Sequence, residues 1–127
     1  MTASSVKVNS DRTTYDLGER TSSYGENVIR FARAVKLDVI NAPLIRQLVR
    51  SATSLGANYA EADEAGSRKE FRYRISLCCC ETRECKHWLR MLSVASPESK
   101  DHARELWKEA NEINLIFATI HRKSKPK

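Results

Sequence analysis

The sequence predicts an all-α protein, folded as an antiparallel up-down-up-down bundle of four helices. Three observations indicate this fold class. Apolar residues recur every three or four positions in four segments, no segment shows the strict alternation of a half-buried strand, and the links between segments are short. With 127 residues the chain is long enough for one domain with its own hydrophobic core.

The first helix is predicted over residues 23–37. Ser23 and Glu26 have the spacing of a capping box, in which each side chain binds a backbone N–H at the start of a helix. Residues 1–20 lack a helical pattern, so we expect a flexible N-terminal segment there. The apolar face of this helix consists of Tyr24, Val28, Phe31, Ala32 and Val35.

The second helix is predicted over residues 42–65. Asn41 suits the N-cap position, and Pro43 suits the first turn, where a backbone N–H has no partner within the helix. Many small residues in this helix predict that a neighbouring helix approaches it closely, and Gly66 is predicted to end it. Its apolar face consists of Leu44, Leu48, Ala52, Leu55, Tyr59 and Ala62.

The third helix is predicted over residues 67–92, where Ser67 and Glu70 form a second capping-box pair. The fourth is predicted to begin at Ser96 and Pro97. These assignments define a four-helix bundle over residues 21–121 and a basic C-terminal tail over residues 122–127. The apolar seam of the fourth helix steps alternately by three and four residues: Ala103, Leu106, Ala110, Ile113, Phe117 and Ile120.

The formal net charge of +6 comes largely from the tail. Residues 122–127 hold four basic side chains, which leaves 18 basic and 16 acidic side chains for residues 1–121. The overall charge is therefore a weak argument for a nucleic-acid partner. We also expect a cytoplasmic protein without a membrane partner, because the N-terminus lacks the apolar core of a signal peptide and the clustered cysteines frame no disulfide scaffold.

The third helix carries a row of positive charge, which we call the basic row. At about 100° per residue its members fall within one narrow arc. Such a row can follow a phosphate backbone, because guanidinium groups bind phosphate bidentately. With Arg122 and Lys123 of the tail, the basic row is the predicted nucleic-acid-binding site: Arg68, Arg72, Arg83, Lys86 and Arg90.

Two alternatives for the basic row remain. It could be the solvated face of an ordinary helix. It could also be neutralised, within or between subunits, by the acidic residues of the fourth helix, which are Glu98, Asp101, Glu105, Glu109 and Glu112.

The third helix also carries more apolar surface than one bundle core needs. Its first apolar face consists of Phe71, Ile75, Cys78, Cys85 and Leu89. A helix with two apolar faces is usually buried on two sides, which predicts a subunit interface; the alternative is one wide core. The second face, which is the predicted oligomer interface, consists of Tyr73, Leu77, Trp88 and Met91.

The chain contains no recognisable catalytic or phosphate-loop motif, so we predict no enzymatic activity, no catalytic residues and no cofactor. Glu81 lies seven residues after Arg74 on much the same side of the third helix and could form a partly buried ion pair with it; the alternative is a catalytic carboxylate. Cys80, Glu84 and His87 share one helix face at steps of four and three residues. We interpret that cluster as fortuitous and predict no metal site, because structural zinc sites usually show paired ligands.

Three segments carry a resemblance to a known family. They are YDLGERT at residues 15–21, the whole of residues 44–62, and SRKEF at residues 67–71 with Glu81, Glu84 and HWLR at residues 87–90. In these the chain resembles the small bacterial four-helix-bundle proteins encoded in intervening sequences of 23S rRNA genes. A relative is the accessory protein of diversity-generating retroelement reverse transcriptases. The resemblance implies a homopentameric ring with a central channel, no enzymatic activity, and nucleic-acid binding.

Together these observations predict a non-enzymatic homo-oligomer, a pentamer by the resemblance, that binds RNA or DNA through a basic surface. The second interpretation is a scaffold or accessory protein that docks a partner enzyme such as a reverse transcriptase.

Overall fold

The computed structural model describes residues 16–126, and within them it contains four α-helices and no strand. The all-α prediction is therefore confirmed. The helices are α1 (Leu17–Ala34), α2 (Asn41–Asp63), α3 (Arg68–Ala95) and α4 (Lys100–Lys123), with a short 3₁₀ turn at Pro97–Ser99 before α4. Helix α3 packs against both α2 and α4, and α1 packs against α2 and, less extensively, against α4.

Helix α1 begins six residues before its predicted start, because Asp16 caps it. The Asp16 carboxylate accepts a hydrogen bond from the Glu19 backbone N–H at 3.3 Å. Ser23, predicted as the cap, lies inside the helix and donates to the Glu19 carboxylate at 3.1 Å. Residues 17–20 are therefore helical, although they belong to the segment predicted to be flexible. The rest of that segment, except Asp16, lies outside the described part of the chain.

The side chains of Asp38 and Asn41 form the hydrogen bonds that hold the link between α1 and α2. Asp38 Oδ1 accepts from the backbone N–H of Ile40 and of Asn41, at 2.9 and 2.8 Å. Asn41 is the first residue of α2 rather than its cap; it is buried and donates to the Lys36 carbonyl at 3.0 Å. The cap was therefore misassigned, since Asp38 supplies the acceptor from three residues earlier.

The predicted start of α3 is confirmed. Ser67 Oγ accepts from the Glu70 backbone N–H at 3.1 Å. The helix continues to Ala95, three residues beyond its predicted end. Helix α4 extends to Lys123, so Arg122 and Lys123 belong to this helix and not to a separate tail.

The predicted apolar faces form the core. In α4 every seam residue is buried except Ile120, which is half-buried and packs against the core. The corresponding faces of α1 and α2 contribute mainly Tyr24, Val28, Phe31, Leu48, Ala52 and Leu55, all of them at most 1 % exposed.

The small residues of α2 allow α1 to approach closely, as predicted. A Cβ atom added at Gly25 of α1 would lie 3.4 Å from the Ala52 carbonyl oxygen of α2, and one added at Gly56 would lie 3.8 Å from the Ser22 backbone. Gly25 therefore lies at the closest approach of the two helices, whereas a Cβ at Gly56 would make only an ordinary van der Waals contact.

In the part of the chain that the structure describes, no helix has an apolar stretch that could cross a bilayer.

Candidate nucleic-acid interface

The basic row lies along the border between α3 and α4. Arg72 donates to the Ser124 hydroxyl at 3.2 Å and to the His121 carbonyl oxygen at 3.3 Å. Lys86 donates to the Asn111 side-chain oxygen at 3.0 Å. Two of the five cations are thus held against α4, whereas Arg68, Arg83 and Arg90 are exposed.

The acceptors that hold the row are uncharged, so its positive charge is not neutralised. Among residues 16–126, no ion pair includes a member of the basic row. Arg72 and Lys86 bind a hydroxyl, a carbonyl and an amide, which orient the side chains without cancelling their charge. This leaves a positive strip for an anionic ligand.

The acidic side of α4 has a different partner within the chain. Arg20 of α1 binds Glu109 at 2.8 Å and Glu112 at 2.9 Å. The hydrogen bond to Glu109 raises the pKa of Arg20, against the effect of partial burial. The alternative in which α4 neutralises the basic row within one subunit is therefore wrong for these two glutamates.

Two grooves flank the row, one near each of its ends. The first, which we call the Tyr73 groove, has a volume of about 540 Å³ and includes Arg68, Lys69, Arg72, Tyr73, Ser76 and His121. The second, the Trp107 groove, has a volume of about 500 Å³ and includes Leu89, Arg90, Ala103, Arg104, Trp107 and Lys108. Each groove thus combines an aromatic side chain with at least three cationic side chains.

Three members of the Trp107 groove were missed by the sequence analysis. Arg104, Trp107 and Lys108 lie on α4, which was interpreted only through its apolar seam and its acidic residues. Their spacing of three and four residues places them on one side of the helix, which was the available signal. That this side adjoins Arg90 of α3 follows only from the packing of the two helices.

Arg122 and Lys123, the two tail residues of the predicted site, lie on different sides of α4. Arg122 is exposed and follows His121, whose carbonyl accepts from Arg72. Lys123 instead lines a different groove with Leu17, Tyr59 and Leu115. The structure therefore does not bring Lys123 to the basic row.

His121 is the histidine of the Tyr73 groove. Loss of solvation lowers its pKa, and the nearby positive charges of Arg72 and Lys125 lower it further. Its imidazole is therefore held in the neutral form to a lower pH than usual.

The predicted oligomer interface is only partly covered within one chain. Tyr73 is 59 % exposed, whereas Leu77, Trp88 and Met91 are half-buried. Trp88 packs against the edge of the core, and its indole N–H has no hydrogen-bond partner in the described part of the chain. The subunit interface stays a prediction.

The partner of Glu81 differs from the predicted one. Glu81 lies 3.5 Å from the Arg50 guanidinium of α2, and Arg74 instead donates to Asn58 of α2 at 3.2 Å. Burial raises the pKa of Glu81, and the positive charge of Arg50 opposes that shift. The pair predicted within one helix is replaced by two links between helices, because both side chains face α2.

In the described part of the chain, the cysteines and their neighbours form no metal-binding cluster. Cys80, Glu84 and His87 are exposed, and Glu84 pairs with Arg50 and accepts from Ser51 at 3.1 Å. No three His, Cys, Asp or Glu side chains among residues 16–126 are grouped as they would be to hold a metal ion. Burial raises the pKa of Cys78 and of Cys85 to about 12, so both behave as small core side chains, as predicted.

The fold is similar to that of a solved protein. A protein of unknown function from the S23 ribosomal protein family of Bacteroides thetaiotaomicron VPI-5482 superposes with a TM-score of 0.77 at 22 % identity. The match covers 87 % of this chain and 98 % of that one. At this identity the likeness concerns the fold alone, and no curated protein matches the sequence.

The family is shown by the sequence itself. Residues 19–118 match the family model described as 23S rRNA-intervening sequence protein, and this span covers most of the chain and most of each of the four helices. The resemblance recognised in the sequence motifs is confirmed at this level. The chain belongs to the family of 23S rRNA-intervening sequence proteins.

Proposed function

We propose that this protein is non-enzymatic and binds nucleic acid, with RNA as the ligand, through the phosphate backbone. The observation that carries the proposal is that none of the five cations of the basic row has an acidic partner among residues 16–126, while Glu109 and Glu112 are paired with Arg20 on another side of the molecule. RNA is our choice over DNA because the family is described by its connection to 23S rRNA intervening sequences.

The dimensions of the row suit a nucleic-acid backbone. Arg72 and Arg90 lie on one continuous helix, so their Cα atoms are roughly 27 Å apart along its axis at 1.5 Å per residue. Arg83 and Lys86 lie between them on the same side. A strand that follows this line meets cations at several successive phosphates. Binding of this kind weakens steeply as the salt concentration rises.

Charge reversal tests this proposal. The variant Arg72→Glu, Arg83→Glu, Arg90→Glu should lose RNA binding in fluorescence polarisation while its circular dichroism stays that of four helices. A matched control reverses three cations that are exposed outside the row, Arg33, Lys36 and Arg46. It has the same net charge and should keep most of the affinity. Equal loss in both variants, or no loss in the first, would contradict a localised binding site.

We further propose that the helices form an antiparallel up-down-up-down bundle and that five chains assemble as a ring. Contacts between α2 and α3 support the antiparallel order, because the residue numbers of the contacting side chains fall along α2 as they rise along α3. Asn58, Leu55 and Arg50 of α2 meet Arg74, Cys78 and Glu84 of α3 in that sense. The partly exposed face with Tyr73 supports the assembly.

Light scattering behind size exclusion tests the assembly. A particle close to five chains of 14.5 kDa is expected, and the double variant Tyr73→Glu, Met91→Glu should reduce it to smaller species. A monomeric wild-type protein at micromolar concentration would remove the proposal of a ring and leave the RNA-binding proposal standing.

A scaffold that docks a partner enzyme, such as a reverse transcriptase, is the second candidate function. It is favoured by exposed apolar side chains at the link between α1 and α2, where Leu37, Val39 and Ile40 are 58 %, 88 % and 65 % exposed. Exposed apolar patches mark interaction sites. A complex formed there should persist in high salt, whereas binding through phosphate should not.

A further inference from the structure

The Trp107 groove has the chemistry of a site for a flat, anionic ligand. Its floor is apolar, since Leu89 of α3 and Ala103 of α4 are each 1 % exposed. The indole of Trp107 forms one wall and is 38 % exposed, although a tryptophan elsewhere in this chain, Trp88, packs at the core. A partly exposed indole beside an apolar floor offers a planar surface to a second ring.

Positive charge surrounds this indole. The Lys86 ammonium lies 5.4 Å from the centre of the Trp107 ring system. Arg90, Arg104 and Lys108 line the groove and are exposed. Lys108 pairs with Glu105 at 3.7 Å, but both side chains are mostly exposed. This weak ion pair therefore reduces the attraction between Lys108 and an anionic ligand only slightly.

The combination of an exposed indole and several cations favours one class of ligand over others. An acidic peptide would use the cations and leave the indole unused, whereas a neutral apolar segment would leave the cations unused. A nucleobase with flanking phosphates uses both, because bases stack on aromatic side chains while phosphates bind arginine and lysine. The groove volume of about 500 Å³ also falls in the range of roughly 300–1,000 Å³ that small-molecule sites occupy.

We propose that Trp107 stacks on an unpaired base of single-stranded RNA and that Arg90, Arg104 and Lys108 bind its neighbouring phosphates. This inference rests on the proposed function and adds a preference to it. A base inside a duplex is already stacked on both sides, so the groove can accept only a base that is unpaired. The protein therefore binds single-stranded RNA more tightly than a duplex of the same charge.

Two probes separate stacking from charge. Uridine 12-mers supply bases and phosphates, and heparin supplies a dense negative charge without bases. The variant Trp107→Leu should bind the 12-mer about 5- to 100-fold more weakly than the wild type, as loss of one stacked base predicts. Its affinity for heparin should stay within about two-fold, because no cation has been removed.

Two further variants control the measurement. Trp107→Tyr keeps an aromatic face and should retain most of the affinity for the 12-mer. Leu115→Ala removes an apolar side chain of α4 that lies outside the groove and is more exposed than Trp107, 60 % against 38 %, and it should change neither affinity. Circular dichroism of all variants checks that α4 is intact.

Fluorescence reports on the indole directly. The chain has two tryptophans, so Trp88→Phe leaves Trp107 as the sole reporter. This replacement removes an indole N–H that has no hydrogen-bond partner within residues 16–126. Addition of the 12-mer should quench the Trp107 emission, whereas heparin should leave it nearly unchanged.

The outcomes are distinct. If Trp107→Leu binds the 12-mer within two-fold of the wild type while RNA binding itself persists, stacking is wrong and the proposed function stands. If the wild type binds neither the 12-mer nor heparin, both proposals fail. If poly-glutamate quenches Trp107 as strongly as the 12-mer does, the groove is a site for acidic peptides, and the inference is overturned.

Discussion

At the scale of single residues, buried polar side chains join the helices at defined points. Thr82 of α3 is fully buried and donates to the carbonyl oxygens of Cys78 and Cys79 in its own helix, at 3.0 and 2.9 Å. Its hydroxyl also accepts from the Asn114 amide of α4 at 2.7 Å. Because a buried donor without a partner is costly, this link stabilises one arrangement of α3 against α4.

Replacement of Thr82 tests that link. Thr82→Val has nearly the same shape but leaves the Asn114 amide with only the weaker contact to the Cys79 carbonyl at 3.3 Å. We expect the free energy of unfolding in urea to fall by about 1–3 kcal/mol. The control is Thr53→Val, since Thr53 is exposed and bonds only within α2; it should stay within about 0.5 kcal/mol of the wild type. Equal effects would show that the link to Asn114 contributes nothing.

The cysteines differ in the accessibility of their thiols. Cys80 is exposed, whereas Cys78 and Cys85 are fully buried and have a pKa of about 12. Only the thiolate reacts with alkylating reagents, so burial and a raised pKa act in the same direction. Mass spectrometry after brief treatment with iodoacetamide should find one modified site in the native protein, Cys80, and four after unfolding. Rapid labelling of Cys78 in the native protein would contradict the packing of α3.

At the scale of helices, the close approach of α1 to α2 depends on a residue without a side chain. Gly25 faces the α2 backbone, where an added Cβ would be 3.4 Å from the Ala52 carbonyl oxygen. The next helix pair, α3 and α4, is instead held apart by leucine, isoleucine and phenylalanine side chains of the core. The two interfaces therefore respond differently to added volume.

Gly25→Val should destabilise the protein by about 1–3 kcal/mol, because the added methyl groups meet backbone that cannot move aside. Helix propensity acts in the opposite direction, since valine is a better helix former than glycine, so a loss of stability reports packing. Gly66→Val is the control, because no atom lies within 4 Å of an added Cβ there. Thermal unfolding followed by circular dichroism compares the two, and an equal decrease in Tm would contradict the close approach.

At the scale of the whole molecule, charge is separated between two sides. The acidic residues Glu109 and Glu112 are bound by Arg20, and the basic row is left on the border of α3 and α4. His121 lies at one end of that border, where its pKa is lowered. Proton binding there would add a cation to the Tyr73 groove.

RNA binding should therefore strengthen as pH falls. In the free protein His121 is mainly neutral above its lowered pKa, and a nearby phosphate stabilises the protonated form, so proton uptake accompanies binding. We expect the affinity for RNA to rise as pH decreases from 7 through the region below the usual histidine pKa of about 6.5. His121→Gln should reduce this dependence, and His87→Gln, on an exposed side chain, is the control. An unchanged pH profile in His121→Gln would place the bound phosphate elsewhere.

The sequence by itself determined the helices and their buried faces, because helical periodicity and the Ser67 cap are properties of neighbouring residues. It misplaced the start of α1, since Asp16 caps a helix in which Leu17 is followed by six residues, 18–23, without a large apolar side chain, so the first two turns show little periodicity. It also identified the basic row, because five cations on one helix share an arc whatever the helix packs against.

Only the tertiary structure decided which charges are neutralised and which residues complete the grooves. Arg20 pairs with Glu109, 89 residues away, and Arg50 with Glu84, 34 residues away, so no local pattern could assign these partners. Trp107 joins Arg90 in the same way, through packing of α4 on α3. The physical reason is that helix formation depends on interactions within a few residues, whereas the charge and shape of a surface depend on which helices meet.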